Sequence, residues 1–171
     1  MVMCRFMAPV ICLWMLGASQ GAAQGVASDT DFRGVTRIAV TASPMAVESV
    51  DCNIDGSLLT HDLEHQFGAD GLVIDQSPDT VAVVTVLSAR EGGSGSCTSA
   101  IMLGAYKKAS FFDSQAQWLR TGYVVIWQSG LIFTSPADAH LGLARESLSR
   151  LAKSMLRDWR SANNAKPAAS Q

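Results

Sequence analysis

Residues 80–89 read TVAVVTVLSA, a run rich in β-branched residues that is apolar at both its odd-numbered and its even-numbered positions. Successive side chains of a strand point to opposite faces of a sheet, so this run is typical of a central strand. We therefore place residues 80–89 at the centre of a sheet and assign the rest of the chain outward from it.

Four further extended segments accompany this strand, and two of them are long. They are residues 36–41, 71–75, 98–110 and 118–133. A turn at Asp113-Ser114 joins the last two, and Gly92 to Ser96 form a glycine-rich loop before them. Ser129-Gly130 interrupts the last segment, which favours a bulge or a tight turn there.

Two amphipathic helices are predicted. The second is the clearer, because Ser135-Pro136 supplies a start signal and a regular apolar stripe follows it. The stripe consists of Leu141, Ala144, Leu148, Leu151, Met155 and Trp159. Ser57 is a plausible N-cap for a first helix that reaches Phe67 and stops at Gly68. Residues 43–55, between the first strand and this helix, are predicted to be a loop.

The order of elements is strand, helix, short strand, three-strand meander, helix. It predicts an α+β fold, a two-layer sandwich in which a mostly antiparallel sheet of four to five strands carries two helices on one face. The order resembles that of small exported α+β domains in curli-assembly lipoproteins and of the N-terminal domain of the Tol-Pal translocation protein. The resemblance implies a role in envelope assembly or scaffolding.

The N-terminus has the pattern of a secretory signal peptide. Arg5 precedes an apolar run from Phe6 to Ala18, which is too short to cross a bilayer, and small residues follow it. We predict cleavage after Ala23, with Ala27 as the alternative. The chain then divides into a signal peptide (1–23), a flexible segment (24–34), one α+β domain (35–164) and a disordered tail (165–171). This predicts a periplasmic or secreted protein with no transmembrane segment after signal removal.

Removal of residues 1–23 leaves 12 basic and 15 acidic residues, which argues against a nucleic-acid partner. It also removes Cys4 and Cys12 and leaves Cys52 and Cys97. In an oxidising compartment these two cysteines predict one disulfide. The alternative reading of Cys97, a nucleophile or a metal ligand, lacks an accompanying Cys–His pattern.

The sharpest motif is HDLEH at residues 61–65, which fits the H-x-x-E-H pattern of inverzincin metallopeptidases. His61 and His65, four residues apart on a helix, can share one Zn²⁺, and Glu64 can then act as a general base. The other interpretation is an exposed polar helix face, because both histidines lie opposite the apolar side of the helix. The sequence identifies no further ligand.

Basic residues follow one side of the last helix. They are Arg150, Lys153, Arg157 and Arg160. Such an arc can dock anionic lipid or an acidic partner, or it can be a solvated face that suits the negative end of the helix dipole. Among the aromatic residues, Tyr123, Trp127 and Trp159 are expected to pack together, and Phe111-Phe112 after two lysines are expected at a hairpin tip.

No phosphate loop, dinucleotide fingerprint or paired-carboxylate signature is present. We therefore predict an exported, non-enzymatic domain without a cofactor, which binds a protein or another envelope component. The alternative is a small zinc-binding or zinc-dependent hydrolase-like protein that uses His61, Glu64 and His65. The sequence leaves the oligomeric state and the specific ligand open.

Overall fold

A mixed five-stranded sheet is the framework of the computed structural model, which describes residues 31–92 and 95–164. The elements in chain order are β1 (Arg37–Ala42), α1 (Val47–Asp51), α2 (Gly56–Ala69), β2 (Val73–Ile74), β3 (Thr80–Arg90), β4 (Ser96–Asp113), β5 (Trp118–Pro136) and α3 (Ala137–Asn164). None of the helices within the described ranges has both the length and the apolar character that a membrane crossing requires.

The strands lie in the order β2-β1-β3-β4-β5. β1 is parallel to both of its neighbours, whereas β3, β4 and β5 form an antiparallel meander. The strand at residues 80–89 is central, as predicted. The α+β prediction and its open, mainly antiparallel sheet are confirmed, but the number of helices is three rather than two.

The helices cover one face of the sheet, which we call the inner face. Its buried side chains on β3, β4 and β5 include Ala82, Val84, Val86, Ile101, Leu103, Ala105, Trp127 and Phe133. Leu148, Leu151 and Met155 of α3 and Leu59, Leu63 and Phe67 of α2 complete this core. The apolar stripe of the last helix therefore packs as its spacing predicted.

The first half of the chain differs from the prediction in three details. Residues 43–55 are not all loop, because they contain the short helix α1. The N-cap of α2 is Asp55 rather than Ser57: its carboxylate accepts from the backbone N–H groups of Ser57 and Leu58 at 2.9 and 3.2 Å. The Ser57 hydroxyl and these N–H groups lower the pKa of Asp55. The helix also continues through Gly68 to Ala69, and Gly71, with φ of +96°, follows its end.

The irregularity of β5 lies at Ile126 and not at Ser129-Gly130, where the ladder runs on unbroken. Ala105 pairs with Trp127 and Tyr106 pairs with Val125, so Ile126 is an extra residue. As a result Ile126 and Trp127 are both buried, although they are adjacent. Tyr123 lies on the opposite face and is exposed, so the predicted packing of Tyr123 with Trp127 and Trp159 is wrong.

The core begins before residue 35, the predicted start of the domain. Phe32 is completely buried, and Asn163 near the end of α3 holds this segment by accepting from Gly34 N and donating to Phe32 O, each at 3.0 Å. Trp159 Nε1 donates to Val35 O at 2.7 Å. The last turns of α3 thus fix the segment that leads into β1.

Leu151→Ala tests the packing of α3 on the sheet. Leu151 is buried, so we expect the free energy of unfolding to fall by about 2–5 kcal/mol from lost burial and the cavity that remains. Urea denaturation measures this change. Lys153→Ser is the matched control two residues away; its side chain is exposed, and the expected change is within about 0.5 kcal/mol. A large loss in the control would show that the two sides of α3 are assigned wrongly.

Candidate functional site

The face of the sheet opposite the helices is apolar and uncovered. We call it the outer face and define it by these apolar side chains of β3, β4 and β5: Val81, Val83, Leu87, Ala100, Met102, Tyr106, Phe112, Leu119, Tyr123, Val125 and Ile132. Ile132 is 78% exposed and Tyr123 is 57% exposed. Sheets with one solvated face usually place polar residues there, so a mostly apolar outer face is unusual.

The outer face carries almost no charge. At the outer positions of β3, β4 and β5, all within the described part of the chain, Lys108 is the one charged residue. A hollow of about 290 Å³ beside it is walled by Val81, Val83, Tyr106 and Tyr123. The ring of Tyr106 lies across Gly104, where a Cβ would be 2.8 Å from Tyr106 Cε2. The absence of a side chain at Gly104 therefore allows the ring to lie against the strand.

β4 and β5 continue beyond the end of β3 as a two-stranded arm, residues 108–123. β3 pairs with β4 only as far as Lys107, whereas β4 and β5 stay paired to Asp113 and Trp118. Four large apolar side chains near the tip are at least half exposed: Phe111, Phe112, Trp118 and Leu119. The predicted apolar hairpin tip is present. Asp113 organises its turn by accepting from Gln115 N and Ala116 N, both at 3.0 Å.

The helical side of the molecule brings together residues from both sequence-predicted sites. A groove of about 970 Å³ between α2 and α3 is lined by His61 and His65 from one helix and by Lys153 and Arg160 from the other. Two ion pairs cross it: Arg145 binds Asp62 through Nε at 2.6 Å, and Arg160 binds Asp70. Asp62 of α2 and Asp70 at its C-cap thus pair with two of the arginines in this groove.

His61 and His65 are exposed and lie on one side of α2, as the spacing predicted, and Glu64 is partly buried. Within residues 31–92 and 95–164, no three His, Cys, Asp or Glu side chains are grouped so that they could hold a metal ion. A zinc ion at His61, Glu64 and His65 therefore stays a prediction from the sequence alone.

All four basic residues of the α3 arc are exposed. Arg160 pairs with Asp70, and Arg157 lies 3.8 Å from Asp158 and donates to Ser154 Oγ at 2.9 Å. Arg150 and Lys153 form no ion pair within the described part of the chain. Docking of a lipid or an acidic partner to this arc stays a prediction.

A disulfide joins Cys52 to Cys97, as the cysteine count predicted, with the two Cα atoms 5.9 Å apart. Cys52 is the C-cap of α1, and Cys97 lies near the start of β4. Both residues are fully buried. The bond therefore fastens α1 to the inner face of the sheet.

A chain of hydrogen bonds runs beside the disulfide and joins five elements. Its members, in order, are Ser49, Ser88, Ser99, His140 and Ser135. The successive distances are 3.0, 2.6, 2.7 and 2.8 Å. Three members, Ser49, Ser99 and His140, are completely buried. This serine–histidine chain satisfies the polar groups that the core encloses.

The direction of the hydrogen bonds in the serine–histidine chain is coupled to the tautomer of His140. With Ser135 Oγ donating to Pro136 O at 3.2 Å, His140 Nδ1 carries the proton that bonds to Ser135. In that tautomer Nε2 accepts from the Ser99 hydroxyl, Ser99 accepts from Ser88, and Ser88 accepts from Ser49. Either oxygen of the Ser88–Ser99 pair can donate, so the same contacts also accommodate the opposite direction.

Ser99 and His140 have the contact of a nucleophile and a base, but not the access that such a pair needs. Both are completely buried, and Phe133 covers the imidazole with a ring distance of 4.9 Å. Burial lowers the pKa of His140. The arrangement is therefore a structural polar network.

Sequence reasoning missed both the serine–histidine chain and the outer face. His140 lies one residue before the apolar stripe of α3, and nothing in the sequence around it indicates that it bonds to Ser99 and Ser135. The outer face did leave a signal, because both sets of positions in residues 80–89 are apolar. That pattern predicts a central strand, but it does not tell whether both faces of the strand are covered.

Removing the disulfide tests its contribution to stability. For the double variant Cys52→Ser, Cys97→Ser we expect the free energy of unfolding to fall by about 2–5 kcal/mol, because the bond closes a loop with a sequence separation of 45. Denaturant unfolding of the oxidised wild type and the double variant measures the difference. Equal midpoints would show that the bond contributes nothing.

The buried His140 predicts a pH-dependent stability. Its pKa is lowered in the folded state, so the unfolded chain takes up the proton more readily. The contribution of neutral His140 to the free energy of unfolding is complete at neutral pH. It is lost as the pH falls below about 6.5, the ordinary pKa of histidine. Unfolding at pH 7 and pH 5 measures the loss, and His140→Gln should reduce it. His61→Gln, at an exposed histidine, is the control and should leave it unchanged. An equal loss in His140→Gln would assign the effect to other groups.

No family model and no curated protein matches the sequence of this chain. Among solved structures, a variant of the PelC dodecamer from Paraburkholderia phytofirmans is 14% identical; the match covers 72% of this chain and 87% of that one, with a TM-score of 0.42. A minor lipoprotein from Acinetobacter baumannii is 13% identical over 79% of this chain and 99% of that one, with a TM-score of 0.38. At such values these similarities carry no conclusion about function.

Proposed function

We propose that this protein is an exported, non-enzymatic domain that binds a protein or another envelope component through its outer face. The single observation that carries the proposal is the composition of that face. Most of its side chains are apolar, with polar residues at Thr85, Thr98, Lys108, Ser110, Thr121, Gln128 and Thr134, and the helices pack only on the other side. An apolar sheet face left in water favours association, because covering it removes apolar surface from solvent.

Two features support an extracytoplasmic location. The first 23 residues have the charge and apolar pattern of a secretory signal. The buried Cys52–Cys97 bond fits an oxidising compartment such as the periplasm or the cell exterior.

The burial and the ion pairing of the polar sites support binding rather than catalysis. The Ser99–His140 pair is sealed inside the core. The groove between α2 and α3 is crossed by ion pairs that hold Asp62 and Asp70. The outer face, by contrast, presents a broad apolar surface to a partner, which is typical of the centre of a protein–protein interface.

Affinity capture tests this proposal. The mature protein, carrying a C-terminal tag, is cross-linked in the envelope fraction of its native cells, and the captured material is identified by mass spectrometry. The face variant Tyr123→Glu, Ile132→Glu places two charges on the outer face, and we expect it to lose roughly tenfold or more of the specific capture. Val50→Glu, at an exposed residue of α1 in the helical layer, is the matched control and should capture normally.

Circular dichroism and thermal unfolding show whether each variant is folded. Capture by a folded face variant equal to that of the wild type would contradict the proposal. Loss of capture in Val50→Glu alone would move the binding surface to the helical layer.

A further inference from the structure

We infer that the outer face is covered by the outer face of a second copy of this chain, so that two sheets stack on each other across a two-fold axis. The inference rests on the proposed function, since it names the partner of that same surface. Sheets that pack face to face lie about 10 Å apart with their side chains interdigitated. Two copies joined in this way form four layers, with both apolar sheet faces inside and the helices outside.

The amount of exposed apolar surface fits such a pair. Six side chains of the outer face are between 53% and 78% exposed, and at roughly 150–250 Å² for a large side chain their exposed surface comes to about 600–900 Å² per chain. A stable protein–protein interface buries about 800 Å² on each partner. The outer face of one copy is therefore large enough to hold a second copy without further contacts.

The charge of the outer face fits a partner that is equally neutral. A partner of different sequence is usually selected by complementary charges, which this face does not offer. Lys108 is about 12 Å along β4 from the middle of that strand, so a two-fold axis that passes through this middle, between the sheets and perpendicular to β4, places the two Lys108 residues about 24 Å apart along the strand direction. That separation exceeds the screening length of about 8 Å at physiological ionic strength, so their repulsion is small.

Residues 24–30 and 165–171, on either side of the described part of the chain, offer little to cover the face. Val26 is the one large apolar residue in these two segments. Neither segment has the apolar side chains that a face spanning three strands requires.

Sedimentation velocity of the mature wild type over a hundredfold range of concentration tests the inference. We expect a concentration-dependent species of at least twice the monomer mass. Tyr123→Glu, Ile132→Glu should raise its dissociation constant by roughly 100-fold or more, because four carboxylates would be buried in each pair of copies. Val50→Glu should sediment like the wild type. A wild type that is monomeric throughout, or a folded face variant that associates normally, would overturn the inference.

Hydroxyl-radical footprinting of the wild type gives a second measurement that needs no variant. Met102, Tyr106 and Tyr123 should be protected at high concentration and become reactive on dilution, whereas the exposed His61 of α2 should react equally at both. Equal reactivity of the three outer-face residues at all concentrations would overturn the inference. If the protein is monomeric while the face variant still loses capture of another component, the proposed function stands and the second copy is wrong.

Discussion

Alternation of side chains along β3, β4 and β5 divides the sheet into two faces, and both of them are apolar. The inner set packs against α2 and α3 and forms the core, in which Ile101, Leu103 and Leu148 are almost completely buried. The outer set has the same chemical character and no helix above it. The side that the helices occupy therefore decides which of the two faces stays in contact with solvent.

The parts of the fold that the sequence predicts are those in which a pattern repeats over many residues. The stripe of α3 repeats through about five turns, so its helix and its buried side were predictable. Features that depend on a single residue were not. Asp55 and Ser57 are both good caps, and only the local backbone decides that Asp55 accepts the N–H groups of α2. Ile126 has no composition that marks a bulge, because the extra residue is defined by its pairing with β4.

The candidate site, like the fold, was predictable only in part from the sequence. The count of cysteines identified the disulfide, since two cysteines left in an exported chain have one simple pairing. The two-sided apolar pattern of residues 80–89 was visible, but periodicity cannot tell a strand buried on both sides from one that is half exposed. The serine–histidine chain was out of reach, because its five members come from α1, β3, β4, β5 and α3 and meet only after the sheet has formed.

The direction of the serine–histidine chain makes it a relay of O–H dipoles rather than a set of separate bonds. A proton that reaches Nε2 of His140 turns the Ser99 hydroxyl around, and Ser88 and Ser49 must then turn in sequence. The last of them has an acceptor waiting, because Ser49 Oγ lies 3.5 Å from Val86 O. The new N–H of the imidazolium would thus have an acceptor in Ser99, although burial still disfavours the charge and lowers the pKa of His140. The interior of this domain is polarisable along one line, from the imidazole of α3 to the short helix beside the disulfide.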